Sequence, residues 1–122
     1  MSYYLIIAIN RGSIKYMNYT KVKFEIYVPL EYVDKLREAI NRTGALTIGN
    51  YDNCMSISEV NGYFRPLKGA NPHLGKEGNL SIEKEAKIEF RCDKDLAFEV
   101  INVIKNLHPY EEPVYNIFPV IN

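Results

Sequence analysis

Two stretches of this sequence repeat one local pattern, an alternating strand followed directly by an amphipathic helix. In the first, residues 21–28 place apolar and polar side chains on opposite faces, which predicts a strand with one buried face. Pro29 begins a segment whose apolar positions share one helical face, and Gly44 follows at the usual position of a C-terminal glycine. The pattern predicts a helix from about Leu30 to Thr43.

The second copy begins at Ala86. Alternate residues from Ala86 to Cys92 are apolar, and an apolar stripe at helical spacing runs from Leu96 to Leu107. Asp93 stands between the two segments, at a position that favours capping of the helix by its carboxylate. We interpret the two copies as an internal pseudo-repeat of one strand-helix unit.

Each helix requires a strand to which the chain returns. The second helix is followed by a predicted strand at residues 114–120, and the first by the stretch from Ile48 to Val60. Two such halves with right-handed crossovers predict an α+β fold, a ferredoxin-like (βαββαβ) sandwich in which two helices cover one face of an antiparallel sheet.

An extra β-hairpin is expected after the first return strand. The pair Asn61-Gly62 suits a two-residue turn, so residues 54–60 and 63–65 are predicted to be its antiparallel arms.

The composition excludes several classes of function. Fifteen basic and fifteen acidic residues cancel to a net charge of zero, so no global field attracts nucleic acid or an anionic membrane. Cys54 and Cys92 form no CxxC motif, which argues against a disulfide framework and favours free thiols in a reducing compartment. The apolar run from Leu5 to Ile9 is too short for a signal peptide or a membrane span. We expect a cytoplasmic protein that binds neither nucleic acid nor membrane.

Two segments have no place in the predicted fold. Residues 66–79 contain two prolines and three glycines without periodicity, and so long an irregular connection in a small domain is usually functional or disordered. Residues 1–16 are expected to be an N-terminal extension, in which Tyr4 to Ile9 would add an edge strand or join a neighbouring subunit. Residues 17–122 are then one domain.

The run HPYEEP at residues 108–113 links the second helix to the last strand, and its prolines restrict the backbone. His108, Glu111 and Glu112 are side chains that bind zinc or similar divalent ions, so the turn is a candidate metal site. His73 or a neighbouring subunit would supply a further ligand.

A structural role for the same turn is the alternative. His108 lies at a helix C-terminus, where a protonated imidazole is stabilised by the exposed carbonyls. Tyr110 would then pack on the core, and the two glutamates would face water.

Residues 69–77 are superficially similar to a phosphate-binding loop. The spacing of Gly69 and Gly75 is wrong, Glu77 stands where a magnesium ligand is needed, and Pro72 removes an amide, so nucleoside triphosphate hydrolysis is excluded. The loop remains a candidate ligand site, with a solvated basic loop as the alternative. The candidate ligand-binding residues are Arg65, Lys68, Asn71, His73 and Tyr110.

No catalytic residue is assigned. Cys54 and Cys92 fall on predicted strands, where burial raises a thiol's pKa, and no serine lies in a nucleophile-elbow context. The 10 tyrosines and 5 phenylalanines are typical of subunit contacts, so a homo-oligomer, a dimer or a trimer, is expected.

Three strings in one order carry a family resemblance: residues 48–54 (IGNYDNC), 64–72 (FRPLKGANP) and 108–113 (HPYEEP). Over roughly Val22 to Val120 the chain resembles the insert domain of YqfO-type proteins. These belong to the Ngg-interacting-factor-three family, also labelled GTP cyclohydrolase I type 2 homologues. The HPYE turn is also similar to the end of CutA, a divalent-cation tolerance protein that shares the ferredoxin-like fold with PII signalling proteins.

The resemblance implies a stand-alone PII/CutA-like domain. In the full-length family a dinuclear metal site is built from the segments that flank the insert, so the resemblance carries no metal ligand over to this sequence. The first sixteen residues have no counterpart in the pattern.

The leading functional hypothesis is a non-enzymatic, oligomeric regulatory module that binds a small ligand or a metal ion, or docks a partner protein, through the loop and the turn. A divalent metal is the one cofactor considered. The first alternative is a metal-assisted hydrolase with His108 and His73 as ligands and Glu111 as general base. The second is an interaction domain that acts in trans on a separate dinuclear-metal protein.

Overall fold

The computed structural model describes residues 4–10 and 13–121, with side chains from residue 18 onward. No helix of these residues has the length and apolarity that crossing a membrane requires. The strands are β1 (Tyr4–Asn10), β2 (Ser13–Asn18), β3 (Lys21–Pro29), β4 (Ser56–Phe64), β5 (Ser81–Asp93) and β6 (Tyr115–Val120), and the helices are α1 (Val33–Arg42) and α2 (Ala97–Leu107). Single 3-10 turns, Leu30–Tyr32 and Lys94–Leu96, precede the two helices.

Strands β3 to β6 form one antiparallel sheet in the order β4-β5-β3-β6. The connection through α1 passes from β3 to β4 across the position of β5, and the connection through α2 passes from β5 to β6 across β3. The two halves of the chain therefore interlock. This is the ferredoxin-like arrangement, and the predicted α+β fold is confirmed.

The core lies between this sheet and the two helices. Phe24 of β3 is paired with Phe90 of β5, and their rings stack with centroids 5.2 Å apart. Leu36 and Ile40 of α1 and Ile104 of α2 are fully buried in the same cluster. Burial of each such side chain stabilises the fold by about 1.5–3 kcal/mol, so the alternation in the two central strands determines which face the helices cover.

The opposite face of the sheet carries a ladder of unlike charges. Lys23 Nζ lies 2.8 Å from Glu89 Oε1, and Lys87 Nζ lies 3.5 Å from Glu25 Oε2. Such accessible pairs contribute little to stability, and both run diagonally between the strands, because like charges stand directly opposite at Lys23–Arg91 and Glu25–Glu89.

The two helices begin and end differently from one another. The N–H of Gly44, at φ +88°, donates to the Asn41 carbonyl at 3.0 Å, so the predicted end of α1 is confirmed. Asp93 precedes the turn before α2, but its carboxylate makes no capping hydrogen bond and pairs with Lys21 of β3. Capping by Asp93 is wrong because the neighbouring strand offers its carboxylate a cation.

The predicted hairpin at Asn61-Gly62 is also wrong. Both residues lie inside β4, in unbroken register with Lys84 and Glu83 of β5, and the chain turns in the long connection between β4 and β5 instead. A Cβ on Gly62 would lie 1.7 Å from Oε1 of Glu85. Gly62 is therefore not part of a turn. Its lack of a side chain allows the Glu85 side chain to lie against β4.

Strands β1 and β2 form a separate antiparallel pair, with Tyr4 opposite Asn18 and Asn10 opposite Ser13. Among the described residues neither strand joins the four-stranded sheet, so residues 4–9 add no edge strand to it. The expected division between residues 16 and 17, which β2 crosses, stays a prediction.

We expect Gly62→Ala to lower the free energy of unfolding by about 1 kcal/mol, because the new methyl displaces the buried side chain of Glu85. In a Glu85→Ala background the same change should be neutral or stabilising, since alanine loses less backbone entropy than glycine on folding. Urea unfolding of the four proteins of this cycle measures the coupling. An equal cost in both backgrounds would contradict the contact.

Candidate functional site

A cleft of about 580 Å³ opens where the loop of residues 65–79 faces the turn of residues 108–113. Its floor is the end of the sheet, on the face opposite the helices. The strands contribute Tyr27, Tyr63, Phe64 and Glu85, the loop contributes Arg65, Pro66, Leu67, Ala70, Pro72, His73 and Leu74, and the turn and the residues after it contribute Tyr110, Glu111, Glu112 and Val114.

The loop is held by hydrogen bonds at its base and at its middle. The N–H of Gly78 donates to the Pro66 carbonyl at 2.8 Å, which closes the base. The N–H of Asn71 donates to Glu111 Oε2 at 3.0 Å, which ties the loop to the turn. Gly75 has φ +86°, in the left-handed region that favours glycine. The two irregular elements of the sequence therefore form one site.

Aromatic rings join the three walls of the cleft. The Tyr110 ring lies 5.0 Å from the His108 ring and 6.3 Å from both the Phe64 and the His73 rings, between centroids. The edge of His73 also meets Tyr32 at 5.8 Å. These distances are in the range of attractive aromatic contacts, so Tyr110 connects strand, loop and turn.

His108 lies beneath the cleft and is buried. Its Nδ1 accepts from the N–H of Tyr110 at 3.1 Å, and its Nε2 lies 2.6 Å from the Tyr27 carbonyl. Since an amide N–H can only donate and a carbonyl can only accept, the ring is neutral with its proton on Nε2. Burial lowers the pKa of His108, partly opposed by the bond to Tyr27. The histidine thus fastens the turn to β3 as a neutral ring, and the predicted protonated helix cap is wrong.

Tyr110 and Glu85 meet at the floor of the cleft. The Tyr110 hydroxyl is buried and has no hydrogen-bond partner of ordinary geometry among the described residues, although the Glu85 carboxylate lies beside it. Burial, followed by the negative charge of Glu85, raises the pKa of Tyr110. Glu85 is itself 8% exposed, and it is one of two buried polar side chains in the described part of the chain, with His108.

The structure brings most of the predicted site residues together. Arg65, His73, Tyr110, Glu111 and Glu112 line the cleft. The predicted ligand residue Asn71 contacts the turn through its backbone N–H, while Lys68 is exposed and is not part of the lining.

The metal-ligand prediction gains no support from this geometry. Both ring nitrogens of His108 are engaged within the fold, and Glu111 accepts from the loop backbone. In residues 18–121 no group of three or more histidine, cysteine, aspartate or glutamate side chains is placed to hold a metal ion. Ligation by His108, Glu111 and Glu112 stays a prediction.

Sequence reasoning missed Glu85 and Tyr27 as parts of the site. Both stand on the polar face of alternating strands, where a side chain is expected to face water, and both are covered because the loop and the turn fold over that end of the sheet. A signal was available in Gly62, but the sequence assigned it to a turn, whereas in the structure it lies inside β4 and leaves the space that the Glu85 side chain occupies.

The chain was compared with known proteins. No family model matches it. It is 40% identical over 100 residues to a GTP cyclohydrolase 1 type 2 homolog of Halalkalibacterium halodurans, covering 82% of this chain and 27% of that protein. It is 42% identical over 98 residues to the same kind of protein from Bacillus subtilis, covering 80% of this chain and 26% of that protein. The chain is homologous to one segment of the GTP cyclohydrolase 1 type 2 homologues.

Solved structures agree with this assignment. A Bacillus cereus protein related to NIF3 superposes with a TM-score of 0.72 at 33% identity, over 85% of this chain and 26% of that one. The periplasmic divalent cation tolerance protein CutA from Archaeoglobus fulgidus superposes with a TM-score of 0.62 at 17% identity, over 84% and 85% of the two chains, which shows a shared fold. The chain spans about a quarter of the length of the GTP cyclohydrolase 1 type 2 homologues it matches.

The three strings that resemble the GTP cyclohydrolase 1 type 2 homologues do not all meet. The second and third form the cleft, whereas residues 48–54 form a separate exposed turn after α1. That turn is held by its own bonds: the N–H of Asn53 donates to Asn41 Oδ1 at 2.8 Å, and the N–H of Cys54 donates to the Leu46 carbonyl at 2.9 Å.

We expect His108→Gln to lower the free energy of unfolding by about 1–3 kcal/mol, because the glutamine amide can still donate to the Tyr27 carbonyl but offers no acceptor in place of Nδ1, so the Tyr110 N–H loses its partner. The folded protein holds His108 neutral with a lowered pKa, so its unfolded state binds the proton more readily and stability falls as the pH drops below about 6.5. Urea unfolding across that range should show a shallower fall in His108→Gln. His73→Gln is the control: the His73 charge contributes least to the lowered pKa of His108, so this variant should keep most of the slope.

The bond between loop and turn can be tested separately. We expect Glu111→Ala to increase hydrogen exchange at the Asn71 amide by about tenfold, since a hydrogen bond to a charged acceptor is lost. Glu112→Ala is the matched control, because Glu112 lines the same cleft without holding that amide. Equal exchange rates in the two variants would contradict the loop-turn bond.

Proposed function

We propose that this chain is a non-enzymatic binding module that takes a small molecule with an apolar body into the cleft between the loop of residues 65–79 and the turn of residues 108–113. The observation that carries the proposal is that these two irregular elements, distant in sequence, close over one pocket at the end of the sheet. Its volume and its largely aromatic and aliphatic lining with few charged groups are typical of small-molecule sites.

Binding is favoured over turnover by the state of the reactive side chains. His108 is committed to two hydrogen bonds, and Cys92 faces the core, where burial raises its pKa to about 11. The relatives are named after GTP cyclohydrolase 1, but the match covers about a quarter of their length, and so we propose no such reaction for this chain. We infer a regulatory role, in which the ligand orders the loop, because in residues 18–121 one hydrogen bond, from the Asn71 N–H to Glu111, ties the loop to the turn.

Metal-assisted hydrolysis is the rival, and the CutA neighbour is named for divalent cation tolerance. Metal analysis after purification without chelator separates the two functions. Stoichiometric metal that is lost in His108→Ala would favour the hydrolase.

Self-association is the second part of the proposal. Strand β4, which is nine residues long, lies at an edge of the sheet. It lacks the lysine and proline residues that commonly protect such edges. Ile57 and Tyr63 on it are exposed. We propose that a second or third copy covers this edge, and a monomer in size-exclusion chromatography with light scattering at micromolar concentration would exclude it.

The cleft can be tested with a neutral fluorescent probe, N-phenyl-naphthylamine. We expect a saturable rise in its emission, and an affinity about tenfold lower in Leu74→Asn, because that side chain lines the cleft and offers apolar surface to the probe. Leu80→Asn is the matched control, since Leu80 is 65% exposed and lies outside the lining. No saturable rise, or an equal loss in both variants, would refute the proposed site.

A further inference from the structure

The cleft contains a buried carboxylate that nothing else in the structure explains. Glu85 is 8% exposed and lines the floor. In residues 18–121 the ion pairs of the sheet involve Lys21, Lys23 and Lys87, and no cationic nitrogen lies within 4.0 Å of the Glu85 carboxylate. An ionised carboxylate taken out of water without a cation is unfavourable unless other groups compensate for its charge.

The surrounding groups compensate for only part of that charge. The Tyr110 hydroxyl can give Glu85 one hydrogen bond, whereas a carboxylate has two oxygens with about four acceptor positions. Gly62 lets the carboxylate lie against the backbone of β4, where a larger residue would exclude it. The site therefore keeps a buried carboxyl group with acceptor capacity to spare.

The rings around Glu85 favour the same kind of ligand. Tyr27, Phe64 and Tyr110 line the cleft, and the electron-rich faces of tyrosine and phenylalanine rings attract cations. Glu111 and Glu112 add two further carboxylates to the lining, and Glu111 also accepts from the Asn71 N–H. Arg65 is the opposing charge in the lining, but it is exposed at the start of the loop, whereas Glu85 is buried at the floor.

From this arrangement, and resting on the proposed binding function, we propose that the ligand is an organic cation, an amine whose ammonium group is bound by Glu85 and the Tyr110 hydroxyl while its apolar body lies among the aromatic rings. The ammonium supplies the three donors that the carboxylate and the hydroxyl oxygen can accept. Specificity for the class comes from the buried charge, because a neutral analogue of equal size leaves Glu85 without a cation.

The test compares three small probes of nearly one shape: phenethylamine, which is cationic, phenethyl alcohol, which is neutral, and hydrocinnamate, which is anionic. Chemical-shift titrations of the whole chain give their affinities. We expect phenethylamine to bind about tenfold or more tightly than phenethyl alcohol, as a charged hydrogen-bonded contact requires. Glu85→Gln should remove that preference, while Glu59→Gln, the same change at an exposed position on the other face of β4, should keep it.

The results test the organic-cation proposal and the proposed binding function separately. The organic-cation proposal is overturned if phenethyl alcohol or hydrocinnamate binds the wild-type protein as tightly as phenethylamine does, or if Glu85→Gln keeps the preference for phenethylamine. In either case the proposed binding cleft still stands, provided that N-phenyl-naphthylamine binds. If no probe binds, including N-phenyl-naphthylamine, the proposed function itself fails. Should Glu85→Gln not fold, the preference of wild type among the three probes still decides the ligand class.

Discussion

The pairing of β3 with β5 is the constraint on which the rest of the structure depends. Its strict alternation sends Phe24, Phe90 and their apolar neighbours under the two helices, and it sends the polar residues of the same strands to the other face. The helices return the chain to the two edges as β4 and β6. The long connection between β4 and β5 and the turn before β6 then meet at one end of the sheet, where they can fold over its open face.

Three local features of the structure form the cleft at that end of the sheet. His108 fastens the turn to the β3 backbone, Glu111 fastens the loop to the turn, and Gly62 leaves room for Glu85. Both ring nitrogens of His108 are engaged and the glutamates of the turn are exposed to water, whereas the buried Tyr110 hydroxyl has no partner of ordinary geometry in residues 18–121 and the buried Glu85 has no cation there. The unsatisfied capacity of the site is therefore concentrated on its floor, which is where a bound molecule would be most fully removed from water.

The frame was predictable from the sequence because it depends on periodicity, which is a local property. Alternation and helical spacing identified β3, α1, β5 and α2, and the order of the elements then left one topology. The errors arose where a distant group decides the outcome. The pair Asn61-Gly62 has the residue types of a turn, but Gly62 instead makes room for the side chain of Glu85. Asp93 is a residue type that often caps helices, but its carboxylate forms an ion pair with Lys21. Proximity of the loop to the turn was equally a tertiary property, beyond any local pattern.

The fold shared with CutA distinguishes the residues that the sheet and helices require from those that form the candidate site. A shared fold at 17% identity shows that the interlocked sheet tolerates replacement of most of its side chains. A buried carboxylate is not part of that requirement, since an apolar residue at position 85 would fill the same place without the cost of desolvating a charge. Glu85, together with Gly62, which makes room for its side chain, is therefore unfavourable for the stability of the frame, as expected if the proposed ligand site is the reason for its presence.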